Sequence, residues 1–387
     1  MLFLRKKLWL IIPGLSLLPA QALAHGAEEE AKAGITLSTY FLIGTVLLFV
    51  LFLILYGVAA YKAKQLHNAK KQEDRYRRQQ LTKTANRFRV AWILSLTGVI
   101  ISGAAASIGG GPKEMSVPHI HGLGYSIDGE RILMPAHNGI MTFSERHWSQ
   151  GPGEKHDYMG FSAVDNGFYS SGHPAEGSNK KNPFGVVKST DEGKNVQTLA
   201  VYGETDFHLM GASYSTKAIY VINPQPNTQM KSPGLYYSKD DGKTWTPTGM
   251  QGVAGDPAAI AVHPTNDAVV AIGTEQGLFL SKDSGQNFEN LSDTQVTSLY
   301  FNQKGSLFIG NYRAPAASLL QLDIDTKQTI EMKIPELTED AVAYFAQNPK
   351  NPNEFAFATF NTDVFLSEDA GETWTKIADK GKGKMED

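Results

Sequence analysis

The sequence predicts an all-β propeller of about six blades, preceded by two transmembrane helices. Three observations lead to this fold class. An octapeptide of the form Ser-x-Asp-x-Gly-x-(Thr/Asn)-aromatic recurs in the C-terminal two thirds of the chain. Sets of short strand-like segments repeat there at intervals of roughly 40–50 residues, which is the spacing of propeller blades. Two uncharged apolar runs in the first 108 residues are typical of membrane spans.

Length and composition limit the classes of function. The chain has 387 residues and a formal net charge of -3, with 42% hydrophobic residues. This charge argues against a nucleic acid as partner. The sequence contains no cysteine, so neither disulfide bonds nor thiolate chemistry is available.

The N-terminus has the pattern of an export signal. Residues 1–24 combine a charged start, an apolar stretch and a small-x-small site ending at Ala24, and a short extracytoplasmic segment, 25–33, would follow. Cleavage after Ala24 would make His25 the first residue. An N-terminal His offers an amine and an imidazole to copper, although a chance residue at this place is the simpler interpretation.

The two apolar runs and the basic segment between them define a topology. We predict transmembrane helices at 34–61 and 90–108, so the membrane itself is a partner. The loop 62–89 carries ten Lys and Arg against two acidic residues, and we expect it to be a helical hairpin in the cytoplasm. Binding of anionic lipid or nucleic acid by this loop is an alternative to a purely topogenic role. Everything after residue 108 is then extracytoplasmic.

The repeated octapeptide has a physical explanation. Ser and Asp side chains hydrogen-bond nearby backbone and hold a tight turn, and Gly permits a positive φ there. Apolar segments before and after each copy are typical of paired strands, so each copy joins two strands of a hairpin. The positions assigned to this structural role are Ser189, Asp191, Gly193, Ser238, Asp240, Gly242, Trp245, Ser281, Asp283, Gly285, Phe288, Ser367, Asp369, Gly371 and Trp374.

Strand patterns delimit the propeller. We predict a linker at 109–116, six blades within 117–380 and a disordered tail at 381–387. The predicted innermost strands are 121–126, 159–164, 210–213, 258–262, 297–301 and 341–346. The fifth blade has no recognisable octapeptide.

Histidines recur at matching positions of the first three blades. Aligning the inner strands places His121, Asp157 and His208 at one position, with His119 two residues earlier, and aligning the second strands superposes His137 on His173. The entry of the first strand and the exit of the second lie at the same end of a blade. We therefore expect a ligand pocket at the channel mouth made by His119, His121, His137, Asp157, His173, His208 and Arg313.

Imidazoles that converge with a carboxylate suit a transition metal such as Cu or Zn. We predict His121, His137, His173 and His208 as metal ligands. Imidazole also titrates near neutral pH, so proton transfer is an alternative, and histidines that only satisfy loop backbone are another. His147 and His263 lie elsewhere in the repeat, and we interpret both as structural.

The octapeptide resembles the Asp-box, also called the BNR repeat, of sialidase-type and sortilin-type propellers. Segments 119–123, 159–162, 171–174 and 206–208 resemble a group of bacterial Asp-box propellers described as glycosylhydrolase-like, over roughly 115–380. The resemblance implies that the protein lies in a bacterial cytoplasmic membrane and that the boxes lie at the periphery of the blades. A sialidase uses three arginines to hold its substrate carboxylate, and only Arg313 is suitably placed here. Another glycosidase would need two carboxylates, for which Asp157 and Asp206 are candidates.

Three functions remain open. The first is a membrane-anchored extracytoplasmic propeller that binds a metal, a small ligand or a protein partner through its His-rich mouth. The second is a hydrolase in the same pocket, either glycosidase-like but not a sialidase, or metal-assisted. The third is a structural or assembly subunit of an inner-membrane complex. Fold resemblance alone does not decide among them.

Overall fold

The structure is a computed structural model that describes residues 37–68, 70–108 and 114–386. The chain divides into two compact units, Met1–Gly110 and Gly111–Asp387. The predicted signal, the 25–33 segment with His25, and most of the predicted linker lie outside the described residues.

The first unit is a pair of antiparallel helices. Helix α1 spans Leu37–Gln65 and helix α2 spans Gln72–Ile108. Aromatic rings pack between them, with centroids 6.1 Å apart for Phe49 and Trp92 and 6.5 Å apart for Phe52 and Phe88. Most of the predicted loop 62–89 is therefore helix, and only a short turn separates α1 from α2.

One helix in the described part of the chain, Tyr40–Gln65, is long and apolar enough to cross a membrane, judged by length and composition. This property suits the N-terminal unit to membrane anchoring. The second predicted span, 90–108, forms the C-terminal half of α2. Its insertion in a membrane, and the side of the membrane on which the propeller lies, stay predictions.

The second unit is a six-bladed β-propeller, as predicted, because its strands form six four-stranded antiparallel sheets. Blade 1 consists of β2 (Gly124–Tyr125), β3 (Ile132–Ala136), β4 (Gly139–Ser144) and β5 (His147–Gln150). Blade 2 consists of β6 (Asp157–Val164), β7 (Gly167–His173), β8 (Val186–Ser189) and β9 (Gln197–Ala200). Blade 3 consists of β10 (Met210–Ala212), β11 (Ile219–Asn223), β12 (Gly234–Ser238) and β13 (Thr246–Pro247).

Blade 4 consists of β14 (Pro257–Val262), β15 (Val270–Thr274), β16 (Gly277–Ser281) and β17 (Glu289–Ser292). Blade 5 consists of β18 (Val296–Phe301), β19 (Leu307–Arg313), β20 (Ala316–Leu322) and β21 (Thr329–Met332). Blade 6 consists of β22 (Val342–Gln347), β23 (Phe355–Thr359), β24 (Val364–Ser367) and β25 (Thr375–Ala378). The first strand of each blade faces the central channel. The second and third strands are buried on both faces, so they consist mainly of apolar residues, and the core lies between neighbouring blades.

The Asp-box turns have the geometry that their residues predict. Ser238 Oγ donates to Asp240 Oδ1 (2.8 Å) and accepts from the Gly242 N–H (2.9 Å). The Asp240 carboxylate also accepts from the backbone N–H and the hydroxyl of Thr244 (2.9 and 2.8 Å). These bonds close the turn between the third and fourth strands of the blade. The boxes that begin at Ser189, Ser281 and Ser367 repeat them.

The two ends of the propeller unit pair with each other, which differs from the prediction. Strand β1 (Glu114–Ser116) lies in the predicted linker, and strand β26 (Lys382–Lys384) lies in the tail predicted to be disordered. They form an antiparallel ribbon with Glu114 opposite Lys384. The ribbon packs at blade 1, where fully buried Trp148 donates its indole N–H to the Ile377 carbonyl of blade 6 (2.8 Å). The tail is ordered because it has a partner strand.

Candidate functional site

The candidate site lies at one end of the central channel. His137 follows the end of β3, and His173 is the last residue of β7, so both are at the exits of second strands. A bridge between Ile120 and Ala136 holds the approach to blade 1 alongside the end of β3. His119 and His121 flank this bridge, which places them near His137. The local β-pairing therefore brings these three imidazoles together.

Asp157 joins the histidines of blade 1 although it belongs to blade 2. Its Oδ2 lies 2.9 Å from His137 Nδ1, and its Oδ1 lies 3.7 Å from His121 Nε2. The ring centroids of His121 and His137 are 4.4 Å apart, and those of His119 and His137 are 5.3 Å apart. We call these four residues the Asp157 cluster. One ligand atom each from His121, His137 and Asp157 lies within 4.8 Å of the others.

His121 is neutral at physiological pH. Burial, and after it the neighbouring His137, lower its pKa to about 4, because the attraction of Asp157 opposes these two effects only in part. The 3.7 Å approach to Asp157 is therefore not an ion pair. His121 Nε2 and Asp157 Oδ1 are both buried and have no hydrogen-bond partner. A buried carboxylate oxygen and a buried ring nitrogen without partners are costly, and a bound cation would satisfy both.

A second cluster lies one blade further on. Asp206 Oδ2 is 2.8 Å from His208 Nε2 and 3.6 Å from His173 Nε2. His173 Nδ1 is also 2.6 Å from Asn182 Oδ1, so this nitrogen carries the proton. We call these four residues the Asp206 cluster. It is more open than the Asp157 cluster, because the side chain of His208 is 67% exposed.

The two clusters follow one structural rule. The histidine at the exit of the second strand of one blade meets an aspartate at the entry to the next blade: His137 meets Asp157, and His173 meets Asp206. Gly172 supports this arrangement, because a Cβ there would lie only 2.0 Å from the Asp157 carbonyl oxygen, and its φ is +115°. Glycine thus lets β7 approach β6 closely beside the two clusters.

The mouth opens into a channel cavity of about 430 Å³. His119, His121 and His208 line its histidine end, and the inner strands provide mainly apolar or small side chains deeper in the channel, including Phe161, Ile260 and Tyr344. This volume is within the range of small-molecule sites. A ligand held at the Asp157 cluster would therefore have a channel beside it.

The other predicted site residues have separate places. Arg313 ends β19 at the same end of the propeller, but it is exposed and is not among the described residues that line the channel. His147 Nδ1 lies 2.9 Å from the Glu145 carbonyl oxygen, and His263 Nδ1 accepts from the N–H groups of Thr265 and Asn266. These contacts satisfy local backbone.

Sequence reasoning missed two features of the site. Asp206 was a candidate carboxylate but not a pocket residue, because it lies four residues before β10 and falls outside the strand alignment. Asn182 was not singled out, and it reaches His173 from the loop between β7 and β8. For Asp206 the available signal was its spacing of two residues from His208.

Comparison with known proteins identifies the repeat. The family model of the BNR/Asp-box repeat matches residues 236–247. The xyloglucanase of Hypocrea jecorina (strain QM6a) is 40% identical over 66 residues. This match covers 17% of the chain and only 8% of the curated relative.

Solved structures with a similar arrangement are distant in sequence. A GH74 enzyme from Niastella koreensis is 14% identical, with a TM-score of 0.45 over 68% of this chain and 46% of that chain. The GH74 xyloglucanase from Xanthomonas campestris is 13% identical, with a TM-score of 0.44 over 69% and 47%. YCF48 from Cyanidioschyzon merolae is 10% identical, with a TM-score of 0.42 over 68% and 87%. The chain spans about half the length of these GH74 structures.

Proposed function

The chain is a β-propeller with Asp-box repeats, and from this premise we propose that it is a membrane-anchored binding module that holds a divalent transition-metal ion at its channel mouth. One observation carries the proposal. Ligand atoms of His121, His137 and Asp157 lie within 4.8 Å of one another, and two of these residues present buried polar atoms without partners. Buried polar groups without partners are uncommon in proteins and call for a ligand or another explanation.

The donor set favours zinc or copper. Two imidazoles and a carboxylate suit these ions better than magnesium or calcium, which prefer oxygen ligands. Metal–ligand bonds of about 2.0–2.2 Å at a tetrahedral angle separate two ligand atoms by about 3.3–3.6 Å. The 3.7 Å between His121 Nε2 and Asp157 Oδ1 is close to this separation. Because His121 is already neutral, it need not lose a proton to bind.

Three protein ligands leave a coordination position for a further group. His119 would supply another imidazole beside His137, or a ligand entering from the channel would occupy the position. His173 and His208 surround Asp206 instead of joining this set. The metal-binding proposal therefore concerns His121 and His137, and the Asp206 cluster is a polar neighbour at the same mouth.

The test measures metal content and affinity of the full chain purified in detergent. We expect about one zinc or copper ion per chain after dialysis. Asp157→Asn and His137→Gln should weaken binding more than about 100-fold, because loss of even an outer partner of a metal ligand costs 10–100-fold. His147→Gln, at the other end of the propeller, is the matched control. Absence of stoichiometric metal, or unchanged affinity in Asp157→Asn with an intact β signal in circular dichroism, would overturn the proposal.

A hydrolase is the second candidate, favoured by the local match to a xyloglucanase and by two aspartates at one mouth. In this candidate, Asp157 and Asp206 would be the catalytic carboxylates. Incubation with xyloglucan and with a panel of aryl glycosides tests it. Turnover that disappears in both Asp157→Asn and Asp206→Asn would favour the hydrolase over a binding module.

A further inference from the structure

The helix pair has a register in which basic residues of α2 lie beside apolar residues of α1. Phe88 packs on Phe52, and Gly98 lies against Thr45, with 3.7 Å between a Cβ built at Gly98 and Thr45 Cγ2. Arg78 donates to the His67 carbonyl near the turn (3.2 Å). These contacts fix an antiparallel alignment in which residue 88 is level with residue 52.

Arg87 and Arg89 flank Phe88, and both are exposed. They are therefore level with Phe52, in the middle of the apolar helix. The first charged residue of α1 beyond Phe52 is Lys62, ten residues or about 15 Å further along the helix. Within that interval α1 exposes Ile54, Val58 and Tyr61, at 58%, 48% and 64%. The residues that carry these two guanidinium groups thus lie beside a part of α1 whose exposed surface is apolar.

The helix pair does not neutralise these charges itself. Between residues 37 and 108, the only acidic side chains are Glu73 and Asp74 at the start of α2. They are 13 or more residues from Arg87, which is about 20 Å along the helix. Arginine at depth in a membrane is costly unless it is paired or reaches the interface. A binding partner for Arg87 and Arg89 must therefore supply negative charge and tolerate the apolar face of α1.

From this juxtaposition we propose that the helix pair binds anionic phospholipids, with one phosphate held by Arg87 on one side of the pair, another held by Arg89 on the opposite side, and the acyl chains lying on the exposed apolar surface of α1. Residues two apart on an α-helix point in directions about 160° apart, so each arginine serves its own side of the pair. The planar guanidinium group matches phosphate oxygens in a two-pronged contact. Lys83, one turn nearer the hairpin turn and also exposed, adds positive charge on the same helix. The inference rests on the membrane anchoring proposed above.

Fluorescence of Trp92 provides a local readout. Trp92 follows Arg89 by three residues, so it lies about one helical turn from the phosphate site proposed at Arg89. The full chain is reconstituted in phosphatidylcholine vesicles that contain either brominated phosphatidylglycerol or brominated phosphatidylcholine, since bromine quenches a nearby indole. The Trp92→Phe variant gives the background from the other tryptophans.

We expect brominated phosphatidylglycerol to quench Trp92 with a higher apparent affinity than brominated phosphatidylcholine, by about five-fold per arginine. Arg87→Gln with Arg89→Gln should abolish this preference. Lys71→Gln with Arg77→Gln removes the same charge at two positions that are at least about 15 Å nearer the hairpin turn, and this variant should retain the preference. Equal quenching by the two lipids, or retention of the preference after loss of Arg87 and Arg89, would overturn the proposal and would point to a protein partner.

Failure of the anchoring itself has a different signature. A chain that alkaline carbonate extracts from membranes is not integrally anchored, and this result would contradict the anchoring proposal before any lipid comparison. A chain that resists extraction but does not distinguish the two lipids would contradict only the lipid site.

Discussion

Replacement of His121 by Gln should make the propeller less sensitive to acid. The pKa of His121 falls from 6.5 to about 4 on folding, chiefly because of burial and then because of His137. Between these two pKa values the unfolded chain binds a proton that the folded chain does not, so stability falls as the pH drops through this window. At pH 5 the linkage relation gives a loss of about 2 kcal/mol in the free energy of unfolding relative to neutral pH. Gln keeps a polar side chain of similar size but does not titrate.

The assay is urea unfolding of the metal-free full chain in detergent at pH 7.5 and pH 5.0, followed by the β signal in circular dichroism. Burial also lowers the pKa of His156 and His263. Acidification will therefore lower the unfolding free energy of the wild type by more than the contribution of His121 alone. The difference between wild type and His121→Gln isolates that contribution and should be about 2 kcal/mol. His147→Gln, at a surface contact with Glu145, is the control. An equal loss of unfolding free energy in His121→Gln and in the wild type between the two pH values would contradict this role of His121.

Two further predictions concern the fold. Trp148→Ala should cost about 3–5 kcal/mol of unfolding free energy, because it empties a fully buried site where blade 1 meets blade 6 and removes the hydrogen bond to Ile377. The control is Trp245→Ala, at a half-buried site, which should cost less in the same urea titration. Equal costs would contradict the importance of the contact between blades 1 and 6. Asp240→Ala should cost about 1–3 kcal/mol, because its carboxylate accepts the bonds that close an Asp-box turn. The control is Asp325→Ala, which removes a surface ion pair with Lys282 and should change the urea midpoint little. A loss of stability equal to that of Asp240→Ala would show that the Asp-box bonds stabilise the fold no more than a surface ion pair does.

Features with local causes were predictable from the sequence. The Asp-box needs only residues within eight positions, and its bonds run from Ser238 to Thr244. The inner strands were predicted within a few residues for the same reason: an apolar segment bounded by turn residues fits one strand. Six blades then followed from counting these segments.

Pairing between distant segments could not be predicted. The sequence Lys382-Gly383-Lys384 is short and polar, and it forms a strand only because Glu114–Ser116 lies beside it. The alignment of histidines predicted a common end of the propeller, but it gave no means of assigning carboxylates to histidines. Asp157 pairs in register with His173 yet directs its carboxylate to His137 of the preceding blade. Such a choice depends on side-chain direction between blades.

The register of the helix pair illustrates the same limit. Two apolar runs and a basic loop were visible in the sequence, and each was assigned to a separate segment. Contacts between Phe52 and Phe88 offset the two apolar runs along the helix axes. This offset, and not the charge count, brings Arg87 and Arg89 level with apolar residues. The number of basic residues was predictable, whereas their depth was not.

The β1–β26 ribbon makes the propeller unit continuous around its ring. Glu114 lies opposite Lys384, and neighbouring strands are about 4.8 Å apart, so a few added residues would join the two positions. The unit is thus suited to circular permutation, in which the chain is opened in a turn between two other blades. Opening it between blades 4 and 5 would leave blades 1 to 3, with both histidine clusters, in one uninterrupted stretch. Opening it between blades 1 and 2 would separate Asp157 from His137 in sequence but not in space.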